Sequence, residues 1–513
     1  LKSSIQTLLK QCGPVLTSEL IETLVKEGVS PSTARKRIER AQSEYTKLAG
    51  IRFAKNARFI YLEHQYGDRN FWDAIERAFK SSGPSYWAAV AGLKARGGAC
   101  PKSLFAAVSG APAARNRQLS PQRIIERLSA IHLLEEVSDE TSAEPWIHFV
   151  PYCYTPAPEA TLKATLLAEN TALFAIRDWA RRIGFGSYGK FRIRGEGEPP
   201  VVSAITWDMS APCYLRPLVS ARTGTLKPGF FVCDVNLNGP LDEDYVGSFI
   251  RKHNIASAPI KVAPIIPFLV GEVFTQPAFD LARKSGIAAV TIAHLFGTDV
   301  AKALRDLIEL LSNSGATAAV NPEHLYQVMN TLTKIEGAAN NLRGALFELA
   351  IGNLVKDIEG GFLLTGQKRK ELWSGRSAEI DVFLDRPDNA PILIIECKSK
   401  IPGAKVSESE VRKWYEDRVP LIHKALMQDT RYSGREFRFE LWSNGLFHGA
   451  AANWLSMQNC DFESYTVGWK DGAALKRYAG NAKSGGISKI LNEHYFLHPL
   501  AAQATQQTES SQA

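Results

Sequence analysis

Asp381, Glu396 and Lys398 have the residue types and spacing for metal-assisted phosphoryl chemistry. They lie in Glu379-Ile-Asp-Val-Phe-Leu-Asp-Arg-Pro-Asp-Asn-Ala-Pro-Ile-Leu-Ile-Ile-Glu-Cys-Lys398, which reads as two strands joined by a Pro/Asp/Asn turn. The second strand carries the apolar run Ile392 to Ile395, the pattern of a strand buried on both faces. Side chains alternate along a strand, so Glu396 and Lys398 share one face while Cys397 takes the other. Asp381 precedes Glu396 by 15 positions, about what a hairpin needs to bring its carboxylate beside Glu-x-Lys. Two carboxylates so placed suit a hard divalent cation such as Mg²⁺, or Mn²⁺. A neighbouring ammonium can orient or deprotonate the attacking water and offset phosphate charge, which is the chemistry of phosphodiester hydrolysis. The same residues would also arise as an ion pair at a strand end, with Asp381 a carboxylate near a turn.

A helix precedes this hairpin, Asn341-Leu-Arg-Gly-Ala-Leu-Phe-Glu-Leu-Ala350, with the pattern Gly344-x-x-Phe347-Glu348. Helix and hairpin together resemble the PD-(D/E)XK superfamily of restriction-endonuclease-like nucleases, and more loosely its Mrr-like branch, over roughly residues 335 to 480. The resemblance implies that Glu348 is the helix carboxylate, Asp381 the central metal ligand, Glu396 the second ligand and Lys398 the catalytic lysine. Two departures stand out: Asp381 is not preceded by proline, and Glu396 is followed by cysteine.

Residues 1 to 63 predict three short helices and a hairpin. The first spans Ser3 to Gln11, the second opens at Thr17-Ser-Glu-Leu20 with a start like a capping box, and the third runs from Ser30 to Arg40. Ser30 as cap and Pro31 at the first helical position define that third start. Ile51 to Leu62 alternates around Lys55-Asn56 like a two-stranded wing, so the whole resembles a winged-helix DNA-binding domain. In that geometry Thr33, Arg35, Lys36, Arg37 and Arg40 face the major groove, and Lys55 and Arg58 lie near phosphates. Protein contact is the other common use of such a fold. Residues 68 to 156 read as a second winged-helix-like module, with helices Asn70 to Ser81, Ser85 to Arg96 and Ser120 to Ile131 and an arginine-bearing loop Gly110 to Arg117, for which a packing role and nucleic-acid binding are both open.

The middle of the chain shadows the hairpin region. A helix from Leu162 to Ile183 contains Glu169, Ser203 to Asp208 reads as a strand ending in a carboxylate, and Phe230 to Asn236 places Asp234 and Asn236 where Glu396 and Lys398 come later. Strand, helix, strand follow in both blocks: Pro264 to Val270, Gln276 to Ser285 and Ile287 to Ile292, then Phe437 to Trp442, Ala450 to Met457 and Ser464 to Trp469. A diverged duplication and a chance recurrence of strand and helix order both produce this pattern. Under duplication Glu169, Asp208, Asp234 and Asn236 form a degenerate site. An amide cannot serve as a cationic base or counter phosphate charge.

The chain has 513 residues and a net charge of +8, and residues 1 to 150 hold 21 Lys+Arg against 15 Asp+Glu. A basic N-terminal part suits a polyanion, because phosphate contacts release counterions. Seven cysteines without a Cys-x-x-Cys pair argue against a disulfide framework or a zinc finger. No phosphate-binding Gly-x-x-x-x-Gly-Lys-Ser/Thr loop, Gly-x-Ser-x-Gly or His-Glu-x-x-His occurs. With no apolar run of membrane-spanning length and no signal-peptide core, the expected location is the cytoplasm.

The expected architecture is multidomain: winged helices at 1–66 and 67–157, two α/β restriction-endonuclease-like domains at 158–312 (degenerate) and 336–498, a helical linker at 313–335 and a disordered tail at 499–513. The expected function is Mg²⁺-dependent cleavage of nucleic acid, double-stranded DNA foremost, as in defence against foreign DNA. A homodimer or a partner protein would let two sites cut both strands. The alternative is a non-enzymatic DNA-binding regulator or scaffold built from inactive nuclease-like folds.

Overall fold

The protein is described by a computed structural model covering residues 4–115, 118–138, 144–215, 218, 220–222, 225–259, 263–312, 322–335, 338–401 and 404–496. The expected 499–513 tail, most of the linker-like run after Ser312, and Arg117 fall outside these residues. The chain is mixed α/β and divides into two compact units. One is built from residues up to 138, 144–157 and 179–295, the other from 158–178 and the residues from 296 onward. Among the described residues no helix is long and apolar enough to cross a membrane. None of the seven cysteines is bridged.

The first unit begins with α1 (Ile5–Cys12), β1 (Val15–Leu16), α2 (Thr17–Lys26), α3 (Pro31–Arg40), β2 (Thr46–Lys47) and β3 (Phe59–Tyr61), the strands paired in the order β1-β3-β2. Leu9, Leu20, Leu24, Ala34, Ile38 and Ile60 meet in one apolar core, which leaves the basic face of α3 outside. Ser30 caps α3 through its Oγ, which accepts from the Thr33 N–H at 3.4 Å. Two expectations need correction. Thr17 does not cap α2; Leu16 occupies that position, and the Thr17 Oγ1 accepts from the Arg58 N–H at 3.0 Å instead. The first wing strand is β2, upstream of Ile51, while Lys55 and Asn56 take left-handed backbone at φ 53° and 57° in a loop.

Next come α4 (Arg69–Ser82), α5 (Pro84–Ala95), β4 (Ala99–Pro101), α6 (Phe105–Ser109), α7 (Pro121–Ala130), β5 (Leu134–Val137) and β6 (Trp146–Phe149). The order β4-β6-β5 repeats that of the first module strand for strand. The last turn of α8 (Glu159–Arg182) leads into β7 (Arg192–Ile193), a hairpin of β8 (Val201–Val202) and β9 (Ile205–Thr206), and β10 (Met209–Cys213). The expected strand from Ser203 to Asp208 is therefore that hairpin's return arm, and Asp208 stands just before β10. A ribbon of β11 (Ser220–Arg222) and β12 (Thr225–Lys227) precedes β13 (Gly229–Leu241), α9 (Glu243–Ser257), β14 (Ile265–Phe274), α10 (Gln276–Lys284), β15 (Ala288–Thr291) and α11 (Ile292–Phe296). The main sheet runs β7-β10-β13-β14-β15, antiparallel across the first two pairings and parallel across the last two.

The second unit takes the earlier turns of α8, then α12 (Thr298–Ser312), α13 (Pro322–Leu332), α14 (Ala338–Glu359), β16 (Phe362–Lys370), β17 (Ser377–Asp385), β18 (Ile392–Lys398), β19 (Lys405–Val406), α15 (Glu408–Arg412), a π-turn at Lys413–Arg418, and α16 (Val419–Met427). It closes with β20 (Phe437–Ser443), β21 (Leu446–Phe447), α17 (Gly449–Ser456), β22 (Tyr465–Lys470), α18 (Gly472–Ala479) and α19 (Gly485–Leu491). Its sheet runs β16-β17-β18-β20-β22 with the same succession of senses as the first unit's sheet. Ile392 to Ile395 are at most 3% exposed. At about 1.5–3 kcal/mol for each buried side chain, they fix the register of β18 against slippage. The helical run from Glu408 covers this sheet with Val411, Trp414, Val419, Ile422 and Leu426. It is a packing element: Trp414 is buried, and Arg412 is paired with Glu408 and Glu416.

Candidate active site

The hairpin turn forms as its residues dictate. Asp388 and Asn389 adopt left-handed backbone, which short polar side chains tolerate, and the Arg386 side chain closes the loop by donating to the Pro391 carbonyl at 2.7 Å. Val382 pairs with Ile395, so the register continued one step sets Asp381 against Glu396. The Asp381 Oδ2 accepts from the Cys397 N–H at 2.7 Å. Glu396 is 4% exposed, and its Oε1 accepts from the Lys398 Nζ at 2.8 Å and from Arg418 at 2.5 Å. Arg418 also donates to the Glu379 carbonyl at 2.6 Å, so it ties both hairpin strands to the covering helix. It ends the π-turn, where one extra residue re-aims the side chains that follow.

The third acidic group, Glu348, arrives on α14. This helix is buried nearly all round, and Phe347, fully enclosed, meets the Tyr495 ring at 5.0 Å. Gly352 lets the helix approach β16, since a Cβ there would lie 3.2 Å from Thr365. At Gly344 a Cβ would meet nothing within 4 Å, so packing does not explain the glycine of the Gly-x-x-Phe-Glu pattern. Glu348 lines a cavity of about 350 Å³ with Glu379, Lys368, Thr365, Glu159 and Lys163. At its mouth the Lys163 Nζ lies 3.0 Å from Glu159 and 3.7 Å from Glu379.

Burial, then the nearby charges of Glu379 and Glu396, pushes the Glu348 carboxyl up to about 7. Burial, then Glu396 and Glu348, holds Asp381 well above the usual carboxylate range. Burial opposes the Lys398 charge, but Glu396 outweighs it and raises that amine. Carboxylates crowded until they resist ionisation are a donor set that a hard divalent cation would relieve. Among the described residues, no three potential ligands are arranged around a common point, and Lys398 and Arg418 engage Glu396. The donor types fit the ion, and both cations rest on one oxygen of Glu396, its Oε1.

The raised folded-state value means that the unfolded chain ionises Glu348 more readily, so stability falls as pH rises from 4.5 toward 7. In EDTA, Glu348→Gln is expected to raise stability at pH 8 by on the order of 2 kcal/mol and to change little near pH 4.5. Denaturant midpoints at the two pH values check this; equal shifts at both would contradict it.

The first unit holds a closely similar arrangement with opposite chemistry. The Asp208 Oδ2 accepts from the Val235 N–H at 2.9 Å, as Asp381 does from Cys397, and Asp234 occupies the place of Glu396. Cations fill the space around them. Arg96 and Arg194 reach Asp208 at 3.1 and 3.0 Å, and Lys252 reaches Asp234 at 2.5 Å while stacking over Trp207. Burial disfavours the Asp208 charge, but Arg194, Arg96 and Lys252 overcome this and hold its carboxyl low; for Asp234 burial prevails and the value rises. Asn236 donates to the Ala95 carbonyl at 3.2 Å. Glu169 is buried on the part of α8 that is grouped with the second unit.

On the first module Thr33, Arg35, Lys36 and Arg40 are exposed on α3 and Arg37 is half-buried, while Lys55 and Arg58 are exposed on the loop and its edge. Sequence reasoning did not single out Arg418, Arg96, Arg194 or Lys252. Each lies on a different element from the carboxylate it meets, and no local spacing announces it.

The sequence matches no known family profile and no curated protein. Among solved structures it is similar to the MspJI restriction endonuclease in complex with a 27-mer oligonucleotide, at 15% identity, over 42% of this chain and 48% of that one. The chain thus spans about half of that enzyme, and the TM-score of 0.18 is too low to bear on activity.

Proposed function

We propose that the chain is a divalent-cation-dependent nuclease acting on DNA, with its site at Asp381, Glu396, Lys398 and Glu348. The observation that carries this reading is the convergence of three carboxylates and an ammonium at the β17–β18 junction, with Asp381 anchored on the Cys397 amide. A cation held by Asp381, Glu396 and Glu348 would polarise the scissile phosphate and acidify a water. Lys398, kept charged by Glu396, donates to a phosphate oxygen and counters its developing charge. Arg418, once released from Glu396, supplies a second cation within reach of the same oxygens. Glu348, its carboxyl raised to about 7, would give up its proton in holding a cation. The exposed basic face of α3 would hold duplex DNA, and remote contacts of that kind position the bond to be cut.

In this reading the first unit's sheet is a degenerate copy of the nuclease fold, supported by the shared strand order and the paired amide contacts of Asp208 and Asp381. The neutralised carboxylates there also favour a second reading, a DNA-binding scaffold whose nuclease-like folds are both inert.

The test is cleavage of supercoiled plasmid, linear duplex, single-stranded DNA and RNA with Mg²⁺, Mn²⁺ or EDTA. Metal-dependent cutting supports the nuclease; duplex binding without cutting supports the scaffold. Independently, Mg²⁺ or Mn²⁺ is expected to raise the melting temperature by several degrees, and Asp381→Ala to remove that shift. A shift retained in the variant would place the cation elsewhere.

A further inference from the structure

The turn that joins β16 to β17 carries two large apolar side chains in the open: Trp373 is 89% exposed and Leu372 76%. The turn is tied down on all sides. The Glu371 N–H donates to the Arg376 carbonyl at 2.9 Å, the Gly375 N–H to the Glu371 carbonyl at 3.0 Å, and the Leu372 N–H to the Gln428 Oε1 at 2.9 Å. Apolar surface held out by a braced hairpin is costly in water and calls for an occupant. The flanks indicate which. Lys370 at the end of β16 and Arg376 just before β17 are both exposed, Arg376 pairing with Asp417 at 2.8 Å across a solvent-open contact that a phosphate could replace, so the apolar tip is flanked by cations, the pairing that nucleic acid meets with bases and phosphates. Arg369 turns inward instead, over the Tyr432 ring.

The tip is also continuous with the candidate site. Arg376 lies five residues before Asp381 on one hairpin arm, about 17 Å along a strand, or about five nucleotide rises. From these observations we propose that Leu372 and Trp373 form a wedge that inserts between bases of the bound duplex, a few nucleotides from the bond the site cuts, while Lys370 and Arg376 hold the adjoining phosphates. The wedge rests on the nuclease reading. Stacking by the indole and Leu372 offsets the unstacking of a base step and fixes the strand relative to Asp381.

The test uses the full chain and a duplex whose cut position has been mapped with wild type. A second duplex carries the same sequence with short mismatched bubbles on both sides of that position, so that its bases are already unstacked. Trp373→Ala is expected to slow single-turnover cleavage of the paired duplex roughly ten-fold or more and to leave the bubble duplex close to wild type, with an unchanged melting temperature. Three results overturn the wedge: wild-type rates on both duplexes, equal slowing on both, or a change in oligomeric state that marks the tip as a protein interface. If wild type neither binds nor cuts any nucleic acid, the nuclease reading falls and the wedge with it. A wild type that cuts while Trp373→Ala makes no difference removes the wedge alone.

Discussion

Lys398→Ala is expected to lower the single-turnover rate of phosphodiester cleavage by roughly 10²–10⁴-fold while leaving affinity for duplex DNA within a few-fold. The asymmetry follows from where the residue sits. Lys398 makes one ion pair, with Glu396, and Arg418 also holds that carboxylate, so removing the ammonium leaves no buried charge uncompensated. The fold should be indifferent, and the loss should fall on the step in which charge develops on the phosphate. Rates measured at saturating enzyme, alongside gel-shift affinities, separate the two. A variant that cuts normally would move the chemistry away from the β17–β18 junction, whereas parallel loss of binding and cutting would make Lys398 a docking residue.

Lys252→Met is expected to destabilise the first unit by about 3–5 kcal/mol, a far larger effect than removal of the chemically similar Lys398. The Lys252 Nζ donates to the Asp234 Oδ2 at 2.5 Å and to the Ala107 carbonyl at 3.0 Å, and its side chain is 3% exposed. Without it, Asp234 is left buried beside Asp208 with its nearest cation gone. Adding Asp234→Asn should restore much of the loss, because the pair and not the lysine alone sets the penalty. The cost should also shrink at acid pH: burial already raises Asp234, and loss of Lys252 raises it further, so protonation comes within reach as pH falls. Urea midpoints of the two single variants and the double variant test this. Loss in the double variant equal to the sum of the singles would show that the two groups act independently.

What could be read in advance was local. Pro387, Asp388 and Asn389 announce a turn, the four residues from Ile392 announce a buried strand, and together they fix Asp381 opposite Glu396 within twenty residues of chain. The third helix was equally plain, because Ser30 and Pro31 mark its start and only Ala34 and Ile38 along it are buried. The wing misled because β2 is two exposed residues with no alternation to detect, whereas the Ile51 to Ala57 stretch alternates for core-packing reasons without pairing as a strand, and only the later part of the expected wing, β3, pairs. Arg96 meets Asp208 across 112 residues of sequence, and Arg418 meets Glu396 only because a π-turn rotates it into place. Neither hydrophobic period nor motif spacing carries information at that range.

The cations packed around Asp208 and Asp234 change what it means for those carboxylates to be retained. Arg96 rises from the end of α5 and Lys252 also grips the Ala107 carbonyl on α6, so the acidic pair now fastens a neighbouring module to the sheet. Selection for folding would then preserve both aspartates as firmly as selection for turnover preserves a working pair. A survey that counts acidic positions would credit this chain with two reaction centres. Turning Asp208 and Asp234 into a cation site would require removing Arg96, Arg194 and Lys252 together, each step weakening the molecule before any benefit appeared.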